Sequence, residues 1–456
     1  MVGLFSTLSA ASNALDAQSF GLEVTGQNIA NVNTDGYARR QANLAERPTP
    51  YGMGGVEVLG VRSTRDAFVD SRLRSELPSQ SYDSTRSDSL SVVETSLGTI
   101  GSSIDGALSS LFTSFSDLSV NPQSAVSRDA VVQKGGALAN SFNEITRNFA
   151  SAGQQADADV RSSVQQINTL STQIAQLNQR LGDSNGADQS ALRDQLTNAL
   201  ESLSKLTRIS VATQPEGTVA VSTGSGRALV VASNSYALTV SNAPTTGYAR
   251  IRSGGIDITG EMTDGSIGGQ LDLRDSTIPK YQTQLDQLAY DVTQQVNAVH
   301  ATGYDASGAP GGAFFAPLST VAGAAGAIRV APAVAANSGK IAASGTGAPG
   351  DNQTAQALAA LRDSKVASGG TVTLIESWSM LVNHVATDTA SARNSLESRN
   401  GVLSAVQTLA DSASGVSLDE EAGRLIKYQR AYEANAKFFS VVDSTLATLM
   451  SSLGAA

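Results

Sequence analysis

The side chains that could do chemistry are few. His300 and His384 are the only histidines in 456 residues, and each falls in a stretch patterned as helix with no second histidine three or four positions away. Both read as structural or surface histidines, not as a general base or a metal ligand. Asp419, Glu420 and Glu421 would make an acid/base cluster in isolation, but they open a helix, where carboxylates suit the positive end of the dipole. GTGAPG, Gly345 to Gly350, has the spacing G-x-G-x-x-G. It follows no buried strand, contains Pro349, and the acids downstream, Asp363 and Glu376, lie in predicted helix, so it reads as a flexible loop and not as a phosphate cradle. H-E-x-x-H, G-x-S-x-G and Walker spacings do not occur, and Trp378, alone on a helix, reads as core. No catalytic residue, metal or cofactor is expected, and the chain does not read as an enzyme.

Composition points the same way. The net charge of -10 argues against nucleic-acid or anionic-membrane partners, either of which needs a basic face. Cysteine is absent, which removes disulfides, zinc-thiolate sites and thiol catalysis and is compatible with export as an unfolded chain. The start, MVGLFSTLSAASNAL, lacks a basic segment followed by a continuous apolar core, so a cleaved secretory signal is not expected. Neither is a transmembrane helix, because no run of eighteen apolar residues exists.

What remains is helical patterning, strongest at the two ends. Leu418, Leu425, Tyr432, Phe439, Leu446 and Leu453 recur every seven residues, with Tyr428, Val442 and Leu449 between them, which describes a helical seam. Ser417 and Glu420 form a capping-box pattern at its start. At the other end Leu8, Leu15, Leu22 and Ile29 make one series and Leu4, Ala11, Gln18 and Thr25 a second, interrupted by Gly21 and Gly26. Each glycine weakens a helix interior by about 1 kcal/mol relative to alanine. Neither stripe has a local partner, and burial of one alone does not offset the ordering of its backbone. Both ends are therefore expected to be loose in a free monomer and to order against each other and against neighbours.

Between the ends the pattern nests. A loop-rich stretch follows the Asp35-Gly36 turn to about Gly60. Helices dominate from Thr64 to Arg208, including a coiled-coil-like run at Val160, Ile167, Ile174 and Leu181 that ends at Gly182 to Gly186, and an antiparallel return from Leu192 to Leu206. Alternating runs from Ile209 to about Ile267 read as short strands. Helix returns from about Ser276 to His300. Gly303 to Gly350 is Ala- and Gly-rich loop with possible strands at 327–330 and 340–343, and the last long helices cover about Thr371 to Ala413 and Leu418 onward. The fold class is mainly α with an inserted all-β domain: a nested rod with a terminal helical unit (1–60 and 412–456), a helical bundle (61–208 and 275–411, with the loop-rich 303–350) and an outer β domain (209–274).

The segment Leu4 to Arg40 resembles the N-terminal signature of the axial proteins of the bacterial flagellum. Ser417 to Leu453 is similar to their C-terminal motif, especially at Leu425, Tyr428, Gln429, Ala431, Tyr432, Ala434 and Asn435. Gly265 to Gly308 with Phe314-Phe315, and IAAS with Gly350 to Leu361, narrow the resemblance to the hook-associated junction proteins. Asp35 stands where a proline is common, and there is room for one outer domain, a compact version. The resemblance implies a structural adaptor between hook and filament, secreted through the flagellar type III apparatus. Its implied partners are further copies in a helical or ring layer, the hook protein, the next junction protein, and an export chaperone on the C-terminal helix at Leu425, Tyr432, Phe439 and Leu446. The implied assembly residues are Leu4, Leu8, Leu15, Leu22, Ile29 and Asn31 at one end, and Leu418, Leu425, Tyr428, Tyr432, Phe439, Val442, Leu446, Leu449 and Leu453 at the other. A hook or rod protein would share both end motifs but lack the long helices at 160–206 and 371–413. A secreted coiled-coil adhesin is the alternative from another class.

Overall fold

The structure, a computed structural model, describes residues 2–34, 36–47, 55–98, 101, 103–183, 189–215 and 217–454. It opens with α1 (Val2–Ala30) and an antiparallel hairpin of β1 (Arg40–Glu46) and β2 (Val56–Ser63). Four helices follow: α2 (Ala67–Ser96), α3 (Ile104–Val120), α4 (Ala125–Asp183) and α5 (Gln189–Leu206). The insert holds a four-stranded antiparallel sheet of β3 (Ile209–Thr213), β4 (Val219–Thr223), β5 (Ala228–Val231) and β6 (Asn234–Ser235). A second, three-stranded sheet has β7 (Thr239–Asn242), β8 (Ala249–Ser253) and β9 (Ile256–Asp257). The chain returns through α6 (Gly265–Asp272), a π-helical turn at 273–277 and α7 (Ile278–Ala301). The short α8 (Ala324–Ala327), α9 (Pro332–Ala336) and α10 (Gln353–Ala360) precede the long α11 (Leu374–Ser414) and α12 (Leu418–Gly454). The fold is mainly α with a small β insert between helices.

The 59-residue α4, about 88 Å long, is the beam on which two cores are built. Its first half, with Phe142 and Phe149, packs with Phe112 and Phe115 of α3, Tyr281 and Leu285 of α7, Phe314, Phe315, and Trp378 and Leu381 of α11. Its second half, with Val160, Ile167 and Ile174, packs with Leu196, Leu200 and Leu203 of α5 and with Val221, Val230 and Ile251 of the two sheets. Two asparagines of α4 clamp the insert by its backbone. Asn178 accepts from the Val219 amide at 2.9 Å and donates to its carbonyl at 2.7 Å, and Asn168 pairs both backbone groups of Leu238, each at 2.8 Å. A smaller cluster, Leu73, Leu77 and Val406, joins the start of α2 to the end of α11, forming a stem toward the terminal helices.

Several expectations need correction. The stretch to Gly60 contains the β1–β2 hairpin, whose sequence RQANLAE alternates too weakly to announce a strand. The long helix begins at Ala125 instead of near Val160. Helix resumes at Gly265, not at 276, because the glycines that argue against helix are required by close neighbours: a Cβ on Gly268 would meet the Thr263 backbone at 2.5 Å, and one on Gly269 would lie 3.0 Å from the Tyr82 carbonyl of α2. Residues 303–350 are an irregular segment that contributes side chains to the core. Phe314 and Phe315 sit edge to face at 4.8 Å in the core, and the expected strands at 327–330 and 340–343 are short helical turns and single bridges such as Phe315 with Val330. GTGAPG wraps the Asp351 carboxylate, whose Oδ2 accepts from the Gly345 amide at 2.7 Å and the Thr346 amide at 2.8 Å, so the amides that would cradle a phosphate are already taken. Thr346 and the neighbouring donors hold the Asp351 carboxyl below its usual range. Asp35 and residues 184–186 of the Gly182–Gly186 turn lie outside the described residues.

His300 is a structural residue. It is fully buried, its Nδ1–H donates to the Gly312 carbonyl at 2.7 Å, and its Nε2 accepts from the Ala342 amide at 2.9 Å. Burial lowers its pKa, so the folded chain keeps the ring neutral. The unfolded ring binds a proton below about pH 6.5, so stability is full above that value and is lost as pH falls toward and through the lower folded pKa. Denaturant unfolding between about pH 6.5 and pH 5.5 should show this slope in the parent chain and a flatter one in His300→Gln; equal slopes would remove His300 as its source.

Candidate assembly interface

The terminal helices lie against one another and run antiparallel. A Cβ on Gly21 would sit 2.5 Å from Tyr428 Cε1, and seven residues further along α1, Asn28 meets Glu421, seven residues earlier in α12. Moving forward on one helix is moving backward on the other by the same amount. The α1 face in this seam is made of small or short residues: Ala11, Ala17, Gly21, Val24, Thr25 and Asn28 are its buried positions. The leucine series read from spacing, Leu8, Leu15, Leu22 and Ile29, is half-buried on the flanks, as is Leu4. Gly21 is thus a slot for the Tyr428 ring, while Gly26 has no neighbour within 4 Å.

On α12 the inward row is Glu421, Leu425, Tyr428, Asn435, Phe439, Val442 and Leu446. The structure therefore brings together five of the expected seam residues, Leu425, Tyr428, Phe439, Val442 and Leu446. It leaves Leu418 (52% exposed), Tyr432 (41%) and Leu449 (43%) outside. A strict seven-residue series drifts about 20° per repeat on a straight helix, so one series cannot stay in a seam. The Leu453 side chain lies outside the described residues. Asn31 ends α1, its Nδ2 donating to the Gln27 carbonyl at 2.8 Å and its Oδ1 accepting from the Thr34 hydroxyl at 3.2 Å. Ile426, Phe438 and Val441 are exposed on the outer side of α12, whereas Leu449, seven residues after Val442, lies near the inward face but beyond the start of α1.

A polar knot fixes the register. The Glu421 side chain is 1% exposed. One oxygen accepts from Arg39 Nε at 2.9 Å and the other from Asn28 Nδ2 at 2.9 Å. Asn28, fully buried, also donates to the Arg40 carbonyl at 2.8 Å and accepts from the Arg40 amide and the Tyr37 hydroxyl, each at 2.9 Å. Arg39 reaches Glu420 at 2.6 Å, and its amide donates to the Ser414 carbonyl at 2.8 Å. The carboxylates expected to cap α12 are thus drawn into pairing with Arg39, and the reach of Glu420 back to Ser417 gives way to this use. A second pairing ties the knot to the body: Asp194 of α5 accepts from Arg40 at 2.9 Å and from Arg65 at 3.1 Å. Spacing could not announce Asn28, Arg39, Arg40, Asp194 or Glu421, because their partners are far apart in the chain; the only available signal was two adjacent arginines following a turn.

Among the described residues no helix is long and apolar enough to cross a membrane, and no group of three His, Asp or Glu could hold a metal ion. The arrangement is built for holding helices in place. Glu421→Gln should destabilise the α1–α12 pair by about 1.5 to 3 kcal/mol, the range for a hydrogen bond to a charged group. Glu420→Gln should cost under about 1 kcal/mol, because its side chain is 61% exposed. Amide exchange in α1 of the assembled protein reads both, and equal effects would mean that burial of Glu421 is not what matters.

Comparison with known proteins covers the whole chain. The helical domain of flagellar hook-associated protein FlgK matches residues 90–315. The flagella basal body rod protein family matches residues 8–37, and the flagellar basal body rod FlgEFG C-terminal family matches residues 409–452. Flagellar hook-associated protein 1 of Bacillus subtilis is 27% identical, covering 100% of this chain and 99% of the relative. The Salmonella typhimurium protein of the same name is also 27% identical, over 98% and 99%. Those alignments run over 503 and 549 positions, more than the 456 residues here, so the relatives carry segments without a counterpart in this chain. The flagellar hook junction protein FlgK of Burkholderia pseudomallei shares the fold, with a TM-score of 0.67 at 18% identity over 75% of this chain and 99% of that one. With end segments and helical domain matched in order and the relatives spanned almost completely, the chain belongs to the flagellar hook-associated protein 1 family.

Proposed function

We propose that this chain is the structural adaptor that joins hook to filament, secreted through the type III apparatus and self-assembling through α1 and α12. The observation that carries this reading is the two-faced α12. A helix apolar on one stripe is satisfied by one partner, whereas one apolar on two sides needs a second. Here α1 covers one side, and Ile426, Phe438 and Val441 remain in solvent. Further copies in a helical or ring layer, the hook protein and the next junction protein are the partners in this reading. In this reading the Leu73, Leu77 and Val406 stem separates the terminal unit from the bundle, and the outer β unit shares its core with α4 and α5 of the bundle.

The export chaperone fits the same helix at an earlier stage. Leu425, Phe439 and Leu446 sit on the inward row against α1, so a chaperone holding that row and α1 compete for one surface. Capture of an apolar helix face in a groove then precedes the docking of α1, and ordering of both terminal helices completes on assembly.

The test is complementation of a strain lacking its own junction protein. The parent chain should restore filaments, and Phe438→Asp and Val441→Asp, which leave the inward row intact, should not. Normal filaments from both variants would mean that the outer row of α12 is not an assembly surface. Hydrogen exchange in α1 and α12 should be fast in dilute monomer and slow after assembly; strong protection in the monomer would overturn the ordering step.

A further inference from the structure

We propose that the outer face of α12 in one copy of this chain seats on the outer face of α1 in a second copy. The register is antiparallel and places Lys437 against Asp16, Arg430 against Glu23 and Thr448 level with Phe5. The proposal rests on the assembly reading and supplies its contact.

The charges are complementary. α1 contains two ionisable residues, Asp16 and Glu23, both acidic and both exposed. Seven residues apart, they share the face of the helix that bears Phe5, which is 53% exposed. On α12, Arg430 and Lys437 are exposed, also seven residues apart, and lie between Ile426 and Phe438 on the outer side. Among the described residues Asp16, Arg430 and Lys437 enter no ion pair, and Glu23 takes only the Gln27 amide at 3.4 Å. Each helix thus carries two like charges seven residues apart outside any ion pair, and on α12 the exposed Glu433 stands between them.

The register is then over-determined. Setting Asp16 against Lys437 in antiparallel sense brings Glu23 onto Arg430 without adjustment. Phe5, eleven residues before Asp16, arrives level with Thr448, which is exposed eleven residues after Lys437 on the same face of α12. A parallel register can also match the charges, Asp16 with Arg430 and Glu23 with Lys437, but it sets Phe5 level with Asp419. Antiparallel is also the sense that symmetry favours. Copies related by rotation about an axis along the helices keep their direction, so α12 meets a neighbouring α1 as it meets its own. The two faces are different surfaces, and such a contact repeats from copy to copy as a tube requires.

Because the chain has no cysteine, the register can be read directly. Phe5→Cys and Thr448→Cys chains are co-expressed in a strain lacking its own junction protein, and the assembled cells are oxidised. A disulfide-linked dimer is expected from that mixture and not from Phe5→Cys with Asp419→Cys. Reversing one side, Arg430→Glu with Lys437→Glu or Asp16→Lys with Glu23→Lys, should reduce filament number about tenfold or more, and all four substitutions together should restore it. The proposal is overturned by a dimer from the Asp419 mixture, by normal filaments from both reversed chains, or by a four-residue variant that has normal helix content and stays defective. A parent chain that builds no junction would remove the assembly reading beneath it, and the proposal with it.

Discussion

The buried carboxylate of Glu421 sets the constraint on which the terminal unit depends. A charge with 1% exposure is tolerated only with partners that satisfy both oxygens, and Asn28 and Arg39 do so from the far end of the chain, Asn28 lying 393 residues away. Once that carboxylate is paired, little freedom is left. The Asn28 side chain has its remaining groups committed to Arg40 and Tyr37, which fixes where α1 gives way to the hairpin. Arg39 holds the boundary between α11 and α12 through Ser414 and Glu420. The Tyr428 ring on Gly21 then follows from register, since it lies two helical turns along from the knot on both partners.

The same logic, backbone groups satisfied by one well-placed side chain, recurs along the beam. Asn168 and Asn178 of α4 pair with strand ends as another strand would. Asp157 accepts from the Ala249 amide at 2.6 Å and from Arg274 at 2.7 Å, and Arg274 returns to the Ala249 carbonyl at 3.1 Å. These clamps matter because the insert is small. Its strands are two to five residues long, below what stands alone, and α4 and α5 supply the apolar surface that completes them. The β insert is thus dependent on the bundle for both its core and its orientation.

Much of this was legible because it is periodic. The runs at Val160 to Leu181 and Leu192 to Leu206 are buried where spacing placed them, the strands at Ile209, Val219, Ala228 and Ala249 fall in the alternating runs, and the two terminal helices are where their stripes lie. Three kinds of feature were not legible. Glycines at 265 and 269 speak for a loop until the end of α5 and the face of α2 that need their bareness are in place, and Gly268 until the turn at Thr263 closes on it. Phe314 and Phe315 carry core from an unpatterned segment, because irregular backbone shows no period even when buried. The polar knot has no local signature, as each member is a common surface residue made special only by distant contacts. The seam was misread for a related reason: spacing selected the leucines of α1, whereas close packing selected its alanines and glycine.

That inversion bears on how firmly the terminal pair can hold by itself. Apolar burial scales with area, and a seam lined on one side by Ala11, Ala17 and Gly21 removes little of it from water, however close the approach. Leu8, Leu15, Leu22 and Ile29 are only half-buried on the flanks, and the outer row of α12 contributes nothing within the chain. Register is therefore set by the knot, while most of the apolar surface that could stabilise the helices is still in solvent. A terminal unit divided in this way is precise in geometry and weak in cohesion. Any further stabilisation has to come from covering the flanks and the outer side of α12 that the pair itself leaves exposed.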